Sequence, residues 1–302
     1  MAANRRSKPT KTPGKNSSKP AGKTSTRRKK APPPRGARGA RGEWVLITGA
    51  SAGIGEALAG KFAEAGFDLV LVARSKAKLA GIAADLSARH GIAAEVVAAD
   101  LAEPGAARAL FDETAARGID VDVLVNNAGV LDMGAFIAQE TATLSRMITL
   151  NTLALTELAS HFVPPMAARR SGRVLNVASV AAFQPVPSLA VYAASKAFVL
   201  SLTESLAEEL KPHGVSVTAL CPGITETGMF TTIKDANEKT SALPDFLVAD
   251  VQDVAQEGYD ACMKADVVRV PGLAYAMSTS LGRAAPRWVT RLVAGAIGRQ
   301  MM

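Results

Sequence analysis

Short runs of aliphatic and β-branched residues recur from Trp44 onward, each followed by a longer amphipathic stretch. This alternation restricts the fold more than any other feature of the chain. Residues 44–48 (WVLIT), 68–73 (DLVLVA), 94–99 (AEVVAA), 121–125 (VDVLV), 173–178 (RVLNVA) and 215–220 (VSVTAL) read as buried strands. Between them, helical patterning runs near 54–66, 75–89, 104–118, 141–169 and 191–211. Strands apolar along most of their length must be covered on both faces, and parallel neighbours need a crossover, which the helices supply. The expected fold class is therefore α/β, a doubly wound parallel sheet in a single domain. A length of 302 residues with 48% hydrophobic content suits one large core of this kind. Ligands of such sheets sit beyond the carboxyl ends of the strands, so the residues that follow each strand carry the functional information.

After the first strand, TGASAGIG (48–55) leads directly into a helix. Gly49, Gly53 and Gly55 permit a tight turn, close approach of backbone to a ligand and close helix–strand packing. The helix N-terminus, with Ile54 in its first turn, offers free N–H groups to a pyrophosphate. At the end of the second strand, where an acid would hold a free ribose 2′-hydroxyl, the chain has Ala73 followed by Arg74. A guanidinium there suits a 2′-phosphate, with Ser51 and Ser75 as further donors, so NADP(H) is expected in preference to NAD(H).

The third strand leads to Asp100 and Leu101, placed to meet an adenine; Asp100 reads equally well as a turn or cap residue. The fourth is followed by Asn126, Asn127, Ala128 and Gly129, a run able to bridge strands and admit a nucleoside to the backbone. The fifth delivers Ser179. Tyr192 follows thirteen residues later, and Lys196 lies four further on, on the same helix face. A phenol with a reference pKa near 10 is a poor proton donor or acceptor at neutral pH unless a neighbouring ammonium stabilises its phenolate. Ser179 to hold a substrate oxygen, Tyr192 to protonate it and Lys196 to tune the phenol form a coherent catalytic set.

With these residues in hand, the chain resembles the short-chain dehydrogenase/reductase family over roughly residues 44–230. The resemblance rests on Thr48-Gly49 with Gly53 and Gly55, the 126–129 run, Ser179, the Tyr192–Lys196 spacing, and Pro222-Gly223 with Thr227. It implies a Rossmann fold, nicotinamide-dependent interconversion of carbonyl and alcohol, and a homodimer or homotetramer packed through the two long helices after strands four and five. It also implies that Asn151 holds a water in a proton relay through Lys196, and that Ile224 and Thr227 contact the nicotinamide carboxamide. A non-catalytic NADP(H)-binding sensor or scaffold is the alternative. The intact Ser179, Tyr192 and Lys196 argue against it.

The remaining features bear on substrate and location. Ala181, Phe183, Val186 and Leu189, then Met229, Phe230, Leu243, Phe246 and Leu247, flank the expected site and favour an apolar small-molecule carbonyl or alcohol over a sugar. Residues 1–42 hold 14 Lys and Arg and no acid, so the formal net charge of +8 becomes −6 for the remainder. Their Pro, Gly and Ser content predicts a disordered basic tail: a solubilising arm, a targeting segment, or a weak contact with nucleic acid or anionic membrane. The catalytic domain is expected at 43–270. A C-terminal extension at 271–302 ends in a basic amphipathic helix that packs on protein or lies on anionic lipid. Cys221 and Cys262 lack metal or redox spacing, His90, His161 and His213 are scattered, and no metal site is expected. There is no secretory apolar core before Glu43 and no uninterrupted apolar run of about 18 residues. A cytoplasmic protein, in some circumstances peripheral to a membrane, is expected.

Overall fold

The computed structural model describes residues 42–227, 248–272, 275–277, 279 and 291. The basic N-terminal tail, Met229, Phe230, Leu243, Phe246 and Leu247, and nearly all of the C-terminal amphipathic stretch lie outside the described residues.

Each expected strand forms: β1 (Trp44–Thr48), β2 (Asp68–Ala73), β3 (Ala94–Ala98), β4 (Val121–Asn126), β5 (Gly172–Val177) and β6 (Val215–Leu220). A two-residue β7 (Val268–Arg269) completes a parallel sheet in the order β3-β2-β1-β4-β5-β6-β7. Side chains alternate across it with period two. Val45 and Ile47 join one core with Leu69, Leu71, Val123 and Val125, whereas Leu46, Val70, Val72 and Leu124 join the other. The first core is covered by α1 (Gly53–Glu64), α2 (Lys76–His90) and a helix at Val251–Lys264; the second is covered by α3 (Ala106–Ala116), α5 (Leu155–Ala168) and α6 (Ala190–Leu210). Phe62 of α1 meets Phe67 and the ring of Tyr259 edge-on at 5.4 and 5.1 Å. A fully buried side chain of this size contributes about 1.5–3 kcal/mol.

Two parts of the helical layer differ from the sequence expectation. The stretch expected as one helix over 141–169 is broken into α4 (Thr141–Ile148), a π-helical turn (Thr149–Ala154) and α5. Asn151 accounts for the break: its side chain is pinned to the backbone of Val130 outside the helix, so the turn widens to hold it. The helix at Val251–Lys264, α7, was not anticipated, although Asp250 caps it by accepting from the N–H groups of Gln252 and Asp253. The strand order reverses between β1 and β4, opening a crevice at the carboxyl ends. No described helix is long and apolar enough to cross a membrane, and no cluster of three or more His, Cys, Asp or Glu among the described residues could hold a metal.

Candidate active site

A cavity of about 1050 Å³ lies over the crevice at the carboxyl ends of the strands. Gly49, Ser51, Gly53 and Ile54 enter it from the β1–α1 turn. Gly49 and Gly53 have φ of +66° and +58°, and a Cβ on Gly49 would lie 2.7 Å from the Asn127 amide nitrogen. Gly55 does not line the cavity. A Cβ there would sit 2.4 Å from the Gly49 carbonyl oxygen, so this glycine serves the close packing of helix on strand. No side chain caps the N-terminus of α1, whose first N–H groups are therefore available to an anion from the cavity.

Arg74 and Ser75 line the same cavity beyond β2, joined by Lys78 from the first turn of α2, which the sequence reading did not single out. Arg74 is exposed at the rim. Asp100 and Leu101 follow β3 into the cavity, and Asp100 also performs the turn role: one carboxylate oxygen accepts from Ala102 N–H at 3.0 Å and the other from Arg146 of α4. Burial opposes these hydrogen bonds, yet the carboxyl stays below the usual aspartate value. Asn127 spends its amide on scaffold, donating to the carbonyls of Thr48 and Gly49 at 2.9 and 3.2 Å, while Ala128 and Gly129 present backbone to the cavity. A dinucleotide fits this half: it offers positive-φ glycines without side chains, an uncapped helix terminus and a cation at the ribose end.

The other half is built from β5 and α6. Ser179 accepts from Ala181 N–H at 3.1 Å, contacts the Pro222 carbonyl at 3.5 Å, and lies in hydrogen-bonding range of the Tyr192 phenol. Burial raises the pKa of Tyr192, and the Ser179 hydrogen bond partly offsets that rise. Lys196 is buried, donates to the Val177 carbonyl at 2.8 Å, and sits 5.8 Å from the centre of the Tyr192 ring. Desolvation brings its ammonium down to about 8, with Cys221 acting weakly the other way. Asn151 is behind the cavity wall rather than on it. A Cβ on Gly129 would meet the Asn151 Oδ1 at 3.2 Å and the Lys196 Nζ at 3.5 Å, so the two side chains flank the same glycine. The Asn151 amide also donates to Ser195, whose hydroxyl donates to the Tyr192 carbonyl.

A buried chain of hydrogen bonds holds α6 in register with the sheet: Asn126 donates to Asn176, Asn176 to Thr203, and Thr203 to the Val199 carbonyl, at 2.9, 2.9 and 2.7 Å. Asn176 and Thr203 escaped the sequence reading. Their signals were a lone amide inside an apolar strand and a hydroxyl seven residues beyond Lys196, hence on its face of the helix. Pro222, Gly223, Ile224 and Thr227 close the cavity after β6, together with Tyr275, for which no sequence signal exists. Of the side chains expected around the substrate, Ala181, Val186 and Leu189 line the cavity; Phe183 instead packs against the cluster formed by Val199 and Leu200.

Comparison with known proteins agrees with this fold. The family model described as short chain dehydrogenase matches residues 43–238. A very-long-chain 3-oxoacyl-CoA reductase of Pyrenophora tritici-repentis is 37% identical over 209 residues, which cover 68% of this chain and 60% of that protein. This chain thus matches somewhat under two thirds of that relative's length. Among solved structures, a short-chain dehydrogenase from Sphingobium yanoikuyae in complex with NADPH is 36% identical, with a TM-score of 0.72, covering 80% of this chain and 92% of that one. The bulky-bulky ketone specific alcohol dehydrogenase of Comamonas testosteroni is 33% identical, with a TM-score of 0.67, covering 76% and 86%. With the family model matching well over half of the chain and the parallel sheet order that of a doubly wound fold, the chain belongs to the short chain dehydrogenase family.

Proposed function

We propose that this protein is an NADP(H)-dependent oxidoreductase interconverting a carbonyl and an alcohol on an apolar substrate. The observation that carries the reading is the gathering of Ser179, Tyr192 and Lys196 at one end of a cavity whose other end carries the glycine turn and Arg74. Around Tyr192 the wall is formed by Val130, Leu131, Met133, Val186 and Leu189, which favours an apolar ketone or acyl-type substrate. The 3-oxoacyl-CoA and bulky-ketone activities of two relatives point the same way.

In this reading Gly49, Ser51, Gly53, Ile54 and the α1 terminus hold the pyrophosphate, Asp100 and Leu101 flank the adenine, and Arg74 with Ser75 and Lys78 favours a 2′-phosphate. Ile224 and Thr227 hold the carboxamide. When bound, the nicotinamide supplies or accepts the hydride. Tyr192 gives its phenolic proton to the carbonyl oxygen, and Ser179 hydrogen-bonds the same oxygen. Lys196, with a pKa of about 8, is mainly charged at neutral pH and stabilises the phenolate left behind. Asn151, by holding a water, and Lys196 relay a proton back to Tyr192. The catalytic domain is residues 43–270, with 1–42 a basic tail and 271–302 an extension. Exposed Ile148, Leu153 and Phe198 support a homo-oligomer joined through the helices that carry them.

The test is NADPH oxidation with cyclic ketones and 3-oxoacyl thioesters, comparing wild type with Tyr192→Phe. Turnover should fall on the order of 10³-fold while NADPH binding persists. Undiminished turnover in the variant would remove Tyr192 from the chemistry, and NADPH binding without turnover of any substrate would favour a sensor.

A further inference from the structure

Tyr275 lies in the segment that follows β7, beyond the last residue of the family match. Its side chain nevertheless reaches the reaction end of the cavity. The phenolic oxygen accepts a hydrogen bond from the backbone N–H of Ile224 at 3.2 Å, and the ring fills the space over Gly223. A Cβ on Gly223 would lie 2.2 Å from the ring carbon Cε2, so the absence of a side chain at 223 is what admits the tyrosine. The backbone around Tyr275 is helical: Thr279 donates to its carbonyl at 2.9 Å, and Ala276 N–H donates to Gly272 at 3.0 Å. The start of the segment is tied to α7, since Glu257 accepts from both Arg269 and Gly272 N–H. Burial keeps the phenol neutral across the physiological range, so it acts as a hydrogen-bonding group and not as an anion.

An N–H facing a ligand cavity has one proton to donate, and the Tyr275 oxygen already accepts it. We propose that Tyr275 sets cofactor affinity as a displaceable plug: its hydroxyl holds the Ile224 N–H that the nicotinamide carboxamide needs, and binding exchanges one acceptor for the other. This rests on the cofactor reading above. A plug of this kind multiplies the apparent affinity by the fraction of molecules in which the N–H is free. It acts on the nicotinamide half, because the Ile224 N–H is the group that it withholds.

The experiment is calorimetric titration of the full-length protein with NADPH and with 2′,5′-ADP, which carries the phosphate end without the nicotinamide. Tyr275→Phe keeps the ring over Gly223 and removes the acceptor. It should bind NADPH about fivefold more tightly, the worth of one ordinary hydrogen bond, and leave 2′,5′-ADP unchanged. Tyr275→Leu should shift NADPH in the same sense. Unchanged or weakened NADPH affinity, or an equal shift for both ligands, would overturn the proposal. Failure of the wild type to bind either ligand would instead refute the cofactor reading and take the plug with it.

Discussion

The two ends of the cavity are made of different materials. The nucleotide end is mostly backbone: positive-φ glycines, an uncapped helix terminus and an exposed Arg74 at the rim. The reaction end is mostly buried side chain, with a desolvated ammonium at Lys196 and an amide-to-amide-to-hydroxyl chain through Asn126, Asn176 and Thr203. Exposed cations add little to folding stability, whereas buried polar groups count heavily when a partner is lost. Substitutions at the reaction end should therefore disturb folding and chemistry together, and those at the nucleotide rim should disturb binding alone.

The largest effect is expected at Lys196. Its folded pKa of about 8 lies below the usual 10.5, so between these values the unfolded chain binds more protons than the folded one. Wild-type stability should accordingly rise with pH relative to Lys196→Met, by about 3 kcal/mol across pH 8 to 10.5. Urea unfolding of both proteins at pH 7 and pH 10 measures this. A constant gap between them would show that the ammonium is not held in a desolvated site. Next comes Thr203→Val, which leaves the buried Asn176 amide without its acceptor and should lower stability by about 1–3 kcal/mol in urea. Catalysis should fall with it as α6 loses its tie to β5. The smallest effect on the fold is expected from Arg74→Ser. This change should weaken NADPH about tenfold relative to NADH and shift stability by less than about 0.5 kcal/mol. A large drop in its unfolding midpoint would erase the contrast between the two ends.

Much of this was legible in the sequence because it depends on spacing. The boundaries of β1, β2 and β6 match the apolar runs residue for residue, since a strand buried on both faces has no other composition available to it. The glycine turn was readable from its place between strand and helix, and Tyr192 with Lys196 from the helical repeat. The π-helical turn at Thr149–Ala154 was not, because the pull on Asn151 comes from Val130, 21 residues away. Helix α7 was passed over although Asp250 marks its start.

What the sequence determined by itself is therefore everything carried by local periodicity and by the chemistry of single positions: the parallel α/β fold, the strand ends that face the crevice, and the Ser, Tyr and Lys that meet there. The tertiary structure decided which partner each polar group received. Asp100 found Arg146, Asn176 found Thr203, and the Ile224 N–H found Tyr275, 51 residues on. Spacing fixes which side chains share a face of one element, but a hydrogen bond between elements exists only once the whole core has packed and excluded water from both groups.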